Sequence, residues 1–206
     1  MPAAPPSRPG GSIPSRLLQP VLLLAVMWAA RIMDDLLPYD ANRELGIQSW
    51  AWEGLDGILV SPVLHGSWAH LGANTVPFLA LGVLVALDGA GRFWGVTAVI
   101  AVFGGLGVWL VSPPGTITVG ASGLVFGYFG YLLVRAFVAP SLGHGILYAL
   151  LAIGVAAVYG TSMLAGIIDA GAGVSWQAHL FGGIGGAYAA VLLRPRRIRR
   201  APAPPG

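Results

Sequence analysis

The sequence holds a serine placed where a hydroxyl could do chemistry. Ser122 heads the apolar run VGASGLVFGYFGYLL (residues 119–133), with Gly120 two residues before it, Gly123 directly after it, and no charged residue between Arg92 and Arg135. His179 lies in a second apolar run, SWQAHLFGGIGGA, and His70 and Asn74 lie in HGSWAHLGANT. His70 and Asn74 are spaced i, i+4, so on a helix they share one face. A serine becomes a nucleophile when a base takes its proton. A neutral imidazole can do so during attack on a carbonyl and can return the proton to a leaving amine.

The elements that must position these groups are membrane helices. The chain has 206 residues, 56% hydrophobic and only 9% charged, against about 25% charged in a soluble domain. Crossing a bilayer takes roughly 20 apolar residues. The pattern predicts an all-α polytopic membrane protein with six spans, over about residues 17–33, 69–87, 93–111, 122–138, 145–160 and 175–193. SPPG at 112–115 divides the third from the fourth, because proline and glycine end helices. The first span reads as a helix rather than a signal peptide, since Arg31, Asp34 and Asp35 follow it without a cleavage site.

Charge orients the bundle. Six spans put both termini on one side. With that side cytoplasmic, the inner segments hold Arg8, Arg16, Arg92, Arg135, Arg194, Arg196, Arg197, Arg199 and Arg200, with Asp88 as their single acid. The outer segments hold Asp34, Asp35, Asp40, Glu44, Glu53, Asp56 and Asp169, with Arg43 outside and Arg31 at the border. This satisfies the positive-inside rule. The basic residues cluster at the chain ends, so the net charge of +3 is not a nucleic-acid signal. Residues 1–15 and 194–206, rich in proline and small residues, are expected to be tails, the first disordered and the second basic. Residues 16–193 form the membrane domain. The outer loop 34–64, with Trp50, Trp52 and GILVSPVL, reads as a segment lying in the membrane interface.

In this topology Ser122 starts the fourth span at its outer end. His179 lies one turn into the sixth, and His70 and Asn74 start the second, all at a similar shallow depth. The even-numbered spans carry no acid, so nucleophile and base would form a Ser-His dyad oriented by packing. Phe126, one turn below Ser122, could support the imidazole. His70, Asn74 and the Ser122 N–H are natural oxyanion donors. Gly123 and Gly127, with Gly182 and Gly186, form two Gly-x-x-x-Gly pairs that let backbones approach closely. Each piece alone has a plainer reading. Serine and asparagine act as helix-packing residues, and a histidine can be structural or part of a proton path. His65 reads as a loop or cap contact, and His144 lies on the inner side. The joint arrangement favours catalysis.

At these residues the chain resembles the rhomboid family of intramembrane serine proteases. His65, His70 and Asn74 match His-x4-His-x3-Asn. Gly120, Ser122 and Gly123 match Gly-x-Ser-Gly, and Phe126 fills the aromatic place that follows. His179, Gly182 and Gly186 match His-x2-Gly-x3-Gly. The resemblance covers about residues 17–193. It implies a six-helix core, a water-accessible cavity open to the outer side, and hydrolysis of peptide bonds in or near the transmembrane helices of other proteins. Such a protein would be multi-pass in the plasma membrane, with transmembrane proteins and the bilayer as partners, no nucleic acid, no cofactor and no metal. One feature departs from the family: the first outer loop lacks a Trp-Arg pair, since Ala51 follows Trp50 and Glu53 follows Trp52. Two other functions compete. A relative without activity could bind membrane helices in the same cavity. A small-solute transporter would need deeper ionisable residues or paired broken helices, which the sequence does not display.

Overall fold

A computed structural model describes residues 12–139, 141–168 and 173–194. Among them are eight α-helices: α1 (Ile13–Leu36), α2 (Ala41–Leu45), α3 (Gly57–Val60), α4 (Trp68–Ala86), α5 (Ala90–Val111), α6 (Ser122–Phe137), α7 (Leu142–Ile168) and α8 (Trp176–Leu192). The helices α1, α4, α5 and α7 are long and apolar enough to cross a membrane. α6 and α8 are shorter, at 16 and 17 residues. Sixteen residues rise only about 24 Å, less than the roughly 30 Å of a hydrocarbon core.

Three expectations change. α1 starts at Ile13, inside the expected tail, because Pro14 suits a first helical turn and Ser12 precedes it. α7 runs past residue 160 to Ile168. The loop between α1 and α4 carries regular structure that the sequence reading did not assign. It contains α2, α3, two 3-10 turns (Trp52–Leu55 and Ser61–Val63) and a two-residue strand, β1 (Ile47–Gln48). β1 pairs antiparallel with β2 (Ile117–Thr118), a small exception to an all-α fold. Ile47 and Ile58 are buried with Val108, while Trp52 and Leu59 project outward. Residues 1–11 and 195–206, and with them most of both tails and Arg196 to Arg200, lie outside the described residues, as does Asp169.

The helix α8 lies between α5 and α6. A Cβ placed on Gly182 would overlap the carbonyl oxygen of Gly123, and one on Gly186 would overlap that of Gly127. Gly130 meets the Gly183 carbonyl in the same way. On the other side, a Cβ on Gly104 would lie 3.4 Å from the Gly182 Cα, and one on Gly107 would overlap the Phe181 ring. The central core is largely aromatic: Phe78, Phe93 and Tyr128 are fully buried, as is Met27. Tyr128 finds its polar partner in Thr97 at 2.7 Å. Away from Ser122, Asp88, just after α4, accepts from Tyr131 at 2.8 Å and Arg135 at 3.2 Å, both on α6, and from Tyr148 on α7. Asp88 thus ties three helices together.

The glycine contact generates a stability prediction. Gly186→Leu should lower unfolding free energy in detergent by at least about 2 kcal/mol, since the new side chain meets backbone that cannot swing away. Gly72→Ala, where a Cβ would meet nothing within 4 Å, should leave stability unchanged or raised.

Candidate active site

The N-terminal ends of α4, α6 and α8 surround a cavity of about 750 Å³. His70, Asn74, Ser122 and His179 all line it, so the structure gathers the four groups that the sequence singled out from three separate segments. Among the described residues, no lining residue is acidic.

The three helices start differently. The Ser67 hydroxyl caps α4 by accepting from the His70 N–H at 3.1 Å. The Ser175 hydroxyl caps α8 by accepting from the Ala178 N–H at 3.2 Å. No side chain caps α6. The first amides of a helix lack partners inside it, so that of Ser122, which lines the cavity, remains as a donor. The preceding turn is fixed by glycine. Gly120 has φ +121°, and a Cβ there would also come within 2.6 Å of the His70 ring. Its N–H donates to the Ser61 carbonyl at 2.9 Å.

His179 is 6% exposed, and its ring stacks on Phe126 with centroids 4.0 Å apart and planes 5° apart. Asn74, also buried, donates from Nδ2 to the His70 backbone carbonyl at 3.2 Å. Gly123, Gly182 and Gly186 do not line the cavity; they set how near α6 and α8 lie. His65 does not line it either. It is fully buried edge-on to His70, with ring centroids 5.1 Å apart, and its Nε2 accepts from the Ala121 N–H at 3.3 Å. Among the described residues, no cluster of His, Asp and Glu side chains is arranged to hold a metal ion.

Sequence reasoning missed part of the wall. Thr116, Ile117, Thr118 and Val119 line one side, and Ser175, Trp176 and Gln177 another. Their proximity to Ser122 and His179 was the available signal, but the pairing of β1 with β2 has no local signature. The structure also accounts for a loop without a Trp-Arg pair. The Trp50 Nε1–H donates to the Ser112 carbonyl at 3.1 Å and the Trp109 Nε1–H to the Ala51 carbonyl at 2.8 Å. Trp50 and Trp109 stack at 6.0 Å, and Ser49 exchanges backbone bonds of 3.0 Å with Thr116 and Gly115. Tryptophan-to-carbonyl bonds anchor the loop to the end of α5.

Comparison with known proteins agrees with this geometry. The sequence model of one family, the Rhomboid domain, matches residues 51–196. The chain belongs to the rhomboid family. An uncharacterized protein of Mycobacterium tuberculosis (strain ATCC 25618 / H37Rv) is 40% identical over 188 residues, covering 86% of this chain and 75% of that protein. One from Mycobacterium leprae is 39% identical over 190 residues, covering 86% and 72%. A protein of Bacillus subtilis (strain 168), named "Putative rhomboid protease YdcA", is 31% identical over 162 residues, covering 76% and 74%. With its apolar helices, this rhomboid is a multi-pass integral membrane protein.

His65 yields a pH prediction. Burial, with neighbouring His70 and Arg31 adding to it, lowers its pKa from 6.5 to about 4. The unfolded chain therefore binds a proton that the folded chain refuses. The resulting stabilisation is complete above pH 6.5 and is lost as pH falls towards about 4. Thermal unfolding of this rhomboid should show that acid loss, and His65→Gln, which cannot titrate, should lose less stability across the same window.

Proposed function

We propose that this rhomboid is an intramembrane serine endopeptidase that cleaves peptide bonds in or near the transmembrane segments of other membrane proteins. Ser122 is the nucleophile and His179 the base. The observation that carries the reading is the Phe126–His179 stack at the wall of a cavity that Ser122 also lines. A histidine that must act as a base needs one orientation. A flat ring at 4.0 Å restrains the imidazole.

The chemistry follows. His179 takes the Ser122 Oγ proton as that oxygen attacks the scissile carbonyl carbon. The tetrahedral oxyanion is held by His70, by Asn74 and by the uncapped amide of Ser122. Collapse breaks the C–N bond, and the leaving amine takes the proton from His179. Water, deprotonated by the same imidazole, then attacks the acyl ester and releases Ser122. The cavity's polar wall, including Thr116, Thr118 and Gln177, suits a reaction that consumes water at membrane depth. The reading includes six spans, with α6 and α8 joining the four long helices. Both termini are cytoplasmic in the plasma membrane, as the arginine distribution favours.

Purified protein incubated with a panel of single-span substrates should give two products whose masses locate one cut. Ser122→Ala and His179→Ala should each abolish cleavage, and the double variant should be no worse, because nucleophile and base act as a unit. Retained turnover in Ser122→Ala would remove the serine mechanism. His70→Ala and Asn74→Ala should each lower kcat by about 10²-fold or less, since the remaining donors partly compensate. Phe126→Ala should lower kcat with little change in KM.

A further inference from the structure

We infer that Arg31 is a positioning residue for the Ser122 turn, acting from α1 through His65. α1 contributes nothing to the cavity wall. Near its outer end, however, Arg31 is only 12% exposed and sits in a closed polar cluster. Its Nη1 donates to Asp34 at 2.7 Å, and its Nη2 pairs with Asp35. Its guanidinium lies 5.6 Å from the centre of the Trp68 ring, and the Trp68 Nε1–H donates to Asp35 at 2.8 Å. Asp34 also accepts from the Ala41 N–H at 3.0 Å and from Asn42 at 2.8 Å, which brings in the start of α2.

One bond leaves this cluster towards the site. Arg31 Nη1 also donates to the His65 carbonyl at 3.1 Å. On the far side of the same residue, His65 Nε2 accepts from the Ala121 N–H, one residue before Ser122. Ala121 is the N-cap position of α6, which has no side-chain cap. The turn holding the nucleophile is therefore fixed by the Ser61 carbonyl at Gly120 and by the His65 ring at Ala121. The ring can be held in place only if its own backbone is, and the Arg31 fork does that. It grips two carboxylates and a carbonyl together, a geometry that a lysine point charge does not reproduce. His65 must remain neutral to accept at Nε2, and its burial keeps it so.

The kinetic arm rests on the protease reading; a second arm does not. Arg31→Lys keeps the charge and the helix. In liposomes it should lower kcat about tenfold, the size expected for one hydrogen bond to a charged group, with KM within about twofold. His65→Leu should do the same, and His65→Gln, whose carbonyl can accept from Ala121, should recover part of the loss. Adding Arg31→Lys to His65→Leu should cost little more, because both cut one relay. Independently of cleavage, hydrogen exchange of the peptide covering residues 118–124 should be faster in Arg31→Lys and His65→Leu, and no faster in the double variant than in His65→Leu. If the wild type cleaves nothing, the protease reading fails while exchange still decides the relay. Unchanged exchange in Arg31→Lys, or losses that simply add in the double variant, would overturn it.

Discussion

Backbone contact between α6 and α8 is the constraint on which the rest of this molecule depends. Gly182 and Gly186 meet the carbonyls of Gly123 and Gly127 at distances where a Cβ would overlap oxygen. Inside a bilayer, lipid tails are as apolar as leucine, so helices associate through van der Waals fit, which small residues permit. The contact has a direct consequence at the outer end. It brings the face of α6 that carries Phe126 to 4.0 Å from the His179 ring of α8. Under the protease reading, that ring orients the base. A soluble serine protease assigns this task to a buried aspartate.

The α6 helix is held at both ends as well as along its length. Towards its C-terminal end, Tyr131 and Arg135 bind Asp88, which also receives Tyr148. Just before its N-terminal end, Gly120 and Ala121 donate to Ser61 and His65. Its 16 residues fall short of a full crossing, and the segment just before it, including β2, forms one wall of the cavity. A short, firmly held α6 thus leaves a polar recess where a full-length helix would have filled the space. Under the protease reading, that recess is the condition for placing a hydroxyl, an imidazole and water together at membrane depth.

Much of this was legible in the sequence because the governing forces are local or periodic. Long charge-free runs broken by SPPG gave helices within a few residues of α4, α5, α6 and α8. The glycines of the α6–α8 contact were legible from their spacing, and Phe126 from its place one turn after Ser122. The outer loop was not. Its structure depends on β1 meeting β2 some seventy residues away and on Trp50 and Trp109 finding carbonyls across the fold. Gly104 and Gly107, which seat α8 against α5, lacked a partner motif on which to read them. Arg31 looked like a boundary charge because its partners come from α1, α4 and the loop between them.

The most direct measurement is covalent labelling of this rhomboid in liposomes with a fluorophosphonate, a reagent that phosphonylates a serine only when a base activates it. Intact mass should show one adduct, and peptide mapping should place it on Ser122. Labelling should vanish in His179→Ala. No adduct, an adduct on another serine, or labelling of Ser122 that persists without His179 would contradict a Ser122–His179 dyad.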